Sequence, residues 1–137
     1  MSQPLLPGST IGVLGGGQLG RMLTIVARRM GYRVVSWIGG PDSGPAGMAD
    51  LVIQDSFDSE AGLTRFIEEA DVATVEFENI PCDLLEKVAG VMPLMPGVLA
   101  ITTCQHRERE KLFLSDNGFP CAAFCVVDSA ETLAEAL

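Results

Sequence analysis

The chain has 137 residues, 47% of them hydrophobic and 20% charged, and 18 Asp and Glu outweigh nine Lys and Arg to give a formal net charge of -9. This is one domain's length with a folded rather than disordered composition, and the shortage of Lys and Arg excludes a surface for the nucleic-acid backbone. No basic leader precedes an apolar run and no apolar stretch reaches about 18 residues, so neither secretion nor membrane spanning is expected and the cytoplasm is the expected compartment.

Thr10 to Leu14 reads as a short buried strand that empties into Gly15-Gly16-Gly17. A helix follows from Gln18 to Met30, with apolar positions at Leu19, Met22, Leu23, Val26 and Met30, and Gly31 ends it as a left-handed cap. Arg33 to Ile38 is a second strand, closed by Gly39-Gly40-Pro41 and a loop through Gly47. Leu51 to Ile53 is a third strand. Ser59 caps an amphipathic helix that runs to Glu69 and turns Leu63, Phe66 and Ile67 inward. Val72 to Val75 is a fourth strand, and Pro81 opens a helix with Leu84, Leu85 and Val88 on its apolar face. Strands alternating with helices predict an open, mostly parallel α/β sheet with helices on both faces.

Beyond Met92-Pro93-Leu94-Met95-Pro96-Gly97 the texture changes. A short apolar helix at Val98 to Ile101 precedes a charged one from Gln105 to Asn117, ended by Gly118 and Pro120. Ala122 to Val127 is expected as a strand and Ser129 to Leu137 as a helix. The division expected is a first domain over residues 1–103 and the start of a second over 104–137. The ending on Leu137 reads as a cut inside a larger protein. Cys82, Cys104, Cys121 and Cys125 lack C-x-x-C spacing and His106 is the single histidine, so no metal site is expected and the thiols are read as buried and reduced.

Three constellations carry chemistry. Gly15, Gly17 and Gly20 fit G-x-G-x-x-G between a strand and a helix, a turn whose free N–H groups and helix dipole suit a phosphate. A dinucleotide would further need an acid at the end of the second strand, where Ile38, Gly39 and Gly40 stand and the first carboxylate, Asp42, comes only after Pro41. Glu76-Phe77-Glu78-Asn79-Ile80-Pro81 places two acids where the fourth strand ends, on the edge onto which the glycine turn opens. If that segment is extended, Glu76 and Glu78 share a face and Phe77 takes the other. Gln105 to Leu114 alternates in charge, the pattern of a solvated helix with i,i+4 pairs. From the residues alone, a nicotinamide-dependent oxidoreductase domain and a non-enzymatic regulatory domain for a small phosphate ligand both stay open.

Taken together, Leu14 to Met22 (Leu-Gly-Gly-Gly-Gln-Leu-Gly-Arg-Met), Glu76 to Pro81 (Glu-Phe-Glu-Asn-Ile-Pro) and Gln105 to Pro120 resemble the amino-terminal part of the 5-(carboxyamino)imidazole ribonucleotide synthases, ATP-grasp carboxylases of purine synthesis. Related transformylases carry Glu-Leu-Gly-Lys and Glu-Ile-Glu-Ala at the first two places, so Gln18 and Asn79 favour the carboxylase. The resemblance implies a pre-ATP-grasp domain followed by the start of an ATP-grasp domain. It also implies ATP-dependent carboxylation of aminoimidazole ribonucleotide by bicarbonate, with Mg2+, in a homodimeric full-length enzyme. By the same resemblance Gly17, Gln18, Leu19, Glu76 and Glu78 contact the ribonucleotide and Arg107 reaches the ATP phosphates. The catalytic and metal-binding residues would lie beyond this stretch, leaving it inactive by itself. Two positions depart from the pattern: His106 stands where Asp is usual, and Gly39 lies where relatives usually carry an acid.

Overall fold

The computed structural model describes residues 4–41 and 45–136. In chain order it contains β1 (Thr10–Leu14), α1 (Gln18–Arg29), β2 (Arg33–Trp37), β3 (Leu51–Ile53), α2 (Glu60–Glu69), β4 (Val72–Val75), α3 (Cys82–Ala89), β5 (Leu94–Met95), α4 (Val98–Cys104), α5 (Arg107–Asp116) and α6 (Ala130–Ala136). The strands form one sheet in the order β3-β2-β1-β4-β5, parallel at each pairing. The chain divides into two compact units, Met1–Ile101 and Thr102–Leu137, a boundary two residues before the one expected.

Side-chain alternation along β1 sorts the first unit's core into two layers. Val13 packs with Ala27 of α1 and Val34 on one face. Leu14 joins Trp37, Ile53, Phe66, Leu84, Leu85 and Val88 on the other, beneath α2 and α3. Gly12 lies under Phe66, where a β-carbon would stand 2.5 Å from the ring's Cζ. The absence of a side chain there lets α2 approach the central strand. Each large side chain so buried contributes about 1.5–3 kcal/mol relative to its exposed state. Ser59 caps α2 by accepting from the Gly62 N–H at 3.1 Å.

On α1 the packed residues are Gly20, Thr24 and Ala27, while Leu19, Met22, Val26 and Met30 are exposed. Small residues at i, i+4 and i+7 let the helix lie close to the sheet, so the apolar positions that mark the helix in the sequence do not form its buried face. The Thr24 hydroxyl is satisfied by donating to the Gly20 carbonyl at 2.7 Å. Gly31 follows α1 with φ of 90°, the left-handed cap that was expected.

Four expectations need correction. β5 was not anticipated: it is two residues long and flanked by prolines, too short for a periodic signal. Pro81 precedes the helix at the cap position and α3 begins at Cys82. Residues 122–127 form no strand, because among the described residues all strands belong to the first unit's sheet, and a strand without a ladder partner leaves its backbone unpaired. The four cysteines form no disulfide among the described residues, but Cys82, Cys104 and Cys125 are exposed and Cys121 is half-buried. In the second unit, Gly118 takes φ of 71° after α5. Ser129 and Thr132 bond reciprocally at the start of α6, each hydroxyl accepting from the other's N–H at 3.1 Å. Asp42 lies outside the described residues, as does Leu137. Among the described residues no helix is long and apolar enough to cross a membrane.

Candidate functional site

In the order β3-β2-β1-β4-β5 the direction of winding reverses between β1 and β4. Ligands of open α/β sheets bind outside the carboxyl ends of strands at such a switch point. The glycine turn after β1 and the segment 76–81 after β4 border this crevice.

The turn is fixed from below. The Gly15 N–H donates to the Trp37 carbonyl at 2.8 Å, and its carbonyl accepts from the buried Ser36 hydroxyl at 2.6 Å. Ser36 was not singled out from the sequence, although a hydroxyl in the otherwise apolar run from Val34 to Ile38 is a visible anomaly. Gly15 has φ of 127°, a region open to glycine. Gly17 is the N-cap of α1 and, like the rest of that helix's first turn, supplies no side-chain cap and no acid of its own.

Glu76 supplies both. Its backbone N–H donates to the Leu14 carbonyl at 2.9 Å, tying it to the end of β1. Its half-buried side chain turns back over the glycines, and Oε2 accepts from the Gly17 N–H at 3.0 Å. A carboxylate from the neighbouring strand therefore sits at the positive end of the α1 dipole, where a negative charge is stabilised.

The ladder ends at Val75 and residues 76–78 bend, so period-two alternation does not set Glu78 beside Glu76. Glu78 is exposed. Phe77 has its ring centroid 6.5 Å from that of Phe57, and its Cδ1 would lie 3.2 Å from a β-carbon at Gly15. Gln18 and Leu19 are exposed on the first turn of α1. Thus Gly17 and Glu76 are brought into contact, with Gln18 and Leu19 next in the chain. Arg107 belongs to the second unit, where its Nη1 lies 2.6 Å from Glu110 Oε2 on an exposed face. That pair is spaced i,i+3 rather than i,i+4. His106 is the N-cap of α5 and gives it no side-chain bond. Among the described residues no group of three or more His, Cys, Asp or Glu is placed to hold a metal ion.

The end of β2 has no room for the acid that a dinucleotide site would use. Gly39 has φ of 71°, and a β-carbon there would stand 2.4 Å from the Phe57 ring.

Comparison with known proteins identifies the family and the fold. Residues 8–105 match the ribonucleotide synthetase preATP-grasp domain family. The N5-carboxyaminoimidazole ribonucleotide synthase of Brucella melitensis is 41% identical over 97% of this chain, which covers 37% of that protein. Among solved structures, the ADP complex of an N5-carboxyaminoimidazole ribonucleotide synthetase superposes with a TM-score of 0.89 at 37% identity, over 99% of this chain and 36% of that one. The Aspergillus clavatus N5-carboxyaminoimidazole synthase, in complex with ADP and 5-aminoimidazole ribonucleotide, gives 0.74 at 31% identity, over 93% of this chain and 35% of that one. The chain thus spans a little over a third of the length of the relatives it matches. It belongs to the ribonucleotide synthetase preATP-grasp domain family.

Proposed function

We propose that this chain is the ribonucleotide-binding part of an ATP-dependent carboxylase of purine synthesis. The reaction consumes 5-aminoimidazole ribonucleotide, bicarbonate and ATP and yields 5-carboxyaminoimidazole ribonucleotide, ADP and phosphate. The observation that carries this reading is Glu76, held at the switch point by the glycine turn. A carboxylate aimed into a crevice accepts hydrogen bonds from hydroxyl or amine groups, which a ribonucleotide carries at a distance from its phosphate. In this reading Gly17, Gln18 and Leu19 also contact the ribonucleotide, the Gln18 amide offering both a donor and an acceptor, and Glu78 is a further exposed acid two residues beyond Glu76. Support for the ligand comes from the Aspergillus relative, whose complex contains 5-aminoimidazole ribonucleotide.

Residues 1–103 form the pre-ATP-grasp domain in this reading, and 104–137 begin the ATP-grasp domain. Arg107 serves the ATP phosphates, where a planar guanidinium holds oxygens in pairs. Mg2+ neutralises phosphate charge in such reactions, and its ligands are assigned outside the described residues. The whole protein is a cytoplasmic homodimer.

Calorimetric titration of 5-aminoimidazole ribonucleotide and of NADH, with the product of the complete coding sequence, tests the reading. Saturable ribonucleotide binding, weakened by Glu76→Gln, is the expected result. Saturable NADH binding without ribonucleotide binding would replace it with the oxidoreductase reading.

A further inference from the structure

The two faces of the sheet are covered unequally. Ala73 of β4 and Leu94 of β5 pack in the layer beneath α2 and α3, so by alternation Val72, Thr74 and Met95 look to the α1 side. There α1 packs over β1 and β2, with Ala27 on Val13 and Val34, and Met95 is left exposed. The result is a groove of about 440 Å3, walled by Leu23, Val26 and Met30 on one side and by Met95 on the other, with Ile11 and Val72 between them. No charged side chain lines it, and the Tyr32 hydroxyl is already engaged, donating to the Leu5 carbonyl at 2.9 Å. A small-molecule site fixes its ligand with convergent polar groups. A groove lined in this way suits the apolar side chains of a protein.

The α1 wall rises into a ridge. Met22, Val26 and Met30 recur every four residues along the helix and its C-cap, and each is more than half exposed. With Met95 and Leu6, exposed to the same degree and joined at the sheet's edge, they present roughly 500 Å2 of apolar surface, near the upper end of a monomer's largest patch. A stable interface takes about 800 Å2 from each partner, and the half-buried Ile11, Val72 and Thr74 extend the patch toward that size. Charge and shape name the occupant. Helix α1 carries Arg21, Arg28 and Arg29 and no acid, whereas the whole chain has a net charge of -9, so a second copy meets a face of opposite sign to its own field. A ridge and a groove side by side are also what a two-fold contact uses, because each copy's ridge enters the other's groove and neither is left open.

We infer that this face is where two copies of the protein pair, the Met22 ridge of each entering the Met95 groove of the other. The inference rests on the homodimer of the proposed function for its stoichiometry. Sedimentation of the full-length protein over a concentration series measures it. Met22→Glu and Met95→Lys each set an unpaired charge in the contact, twice in a two-fold dimer, and each should raise the dimer dissociation constant about a hundredfold or more. Both positions are exposed, so far-ultraviolet circular dichroism and Trp37 emission should not change. The milder Met22→Ala and Met95→Ala should move the constant the same way by about tenfold.

An equimolar mixture of Met22→Glu and Met95→Lys should recover dimers. The mixed pair keeps one unaltered ridge-in-groove contact, and in its other contact the two new charges are opposite. A mixture that stays monomeric would overturn the pairing. Dimers left intact by all four variants would overturn the surface while the homodimer reading stands, and a lowered Tm in those dimers would assign the groove to another segment of the same chain. A wild-type protein that is monomeric at every concentration removes the homodimer reading and this inference together, while the ribonucleotide titration still decides the substrate.

Discussion

Replacing Gly12 by Ala is a small change in the tightest part of the first unit. The added carbon would lie 2.5 Å from Phe66 Cζ, 2.9 Å from Phe66 Cε2 and 2.9 Å from the Ala70 Cβ. Ordinary contact is near 3.5–4.0 Å, so the ring must withdraw by about 1 Å. It has nowhere to go cheaply, since Phe66 is fully buried and its ring centroid lies 5.8 Å from that of Trp37. Overpacking of this kind costs ~1–3 kcal/mol, and the alanine returns about 0.5–1 kcal/mol by restricting the unfolded chain. The net expectation is a loss of about 0–2.5 kcal/mol, centred near ~1.2 kcal/mol, which at that centre lowers Tm by about 5–10 °C for a unit of this size. Urea and thermal unfolding followed by Trp37 fluorescence measure it. Adding Phe66→Leu to the variant should recover part of the loss, a coupling of about 0.5–3 kcal/mol between touching residues. A Gly12→Ala protein as stable as the parent, or a strictly additive double variant, would refute the close-approach argument.

Ser59→Ala removes the hydroxyl that accepts from Gly62 and should cost ~1 kcal/mol in the same unfolding assay. Gly39→Asp should destabilise this chain by about 1–3 kcal/mol, because the position combines φ of 71° with the Phe57 ring; an unchanged midpoint would contradict the contact. The 137-residue chain by itself should show no ATP turnover dependent on 5-aminoimidazole ribonucleotide and bicarbonate in a coupled ADP assay, and steady turnover would disprove that expectation.

The α/β alternation was legible in the sequence because each early element carries its own punctuation. Gly31 closes α1, Ser59 opens α2, and short β-branched runs bounded by glycine, such as Arg33 to Ile38, read as strands. The orientation of α1 was not legible. Periodicity shows that a helix has an apolar stripe, not which face lies on the sheet, and here the small residues Gly20, Thr24 and Ala27 decide it. At the site, the position of the glycine turn and of Glu76 on one sheet edge followed from strand ends alone. Their direct contact did not, because it depends on β1 and β4 being neighbours, a long-range pairing that no local pattern encodes. The relation of Glu78 to Glu76 was not legible for a simpler reason: alternation holds only while the segment is extended, and the ladder stops at Val75.

The central place of β1 also has a consequence for how the chain is made. Of this sheet's five strands, the earliest in the chain is the one that ends in the middle, flanked by β2 and β4. Its first partner follows almost at once, but β4 emerges about 60 residues after Leu14, roughly 3–12 s later at ~5–20 residues per second. For that interval one flank of an apolar strand is an open edge on a nascent chain, available for pairing with another copy. The time taken to translate residues 38–71 therefore sets how long that edge stays open.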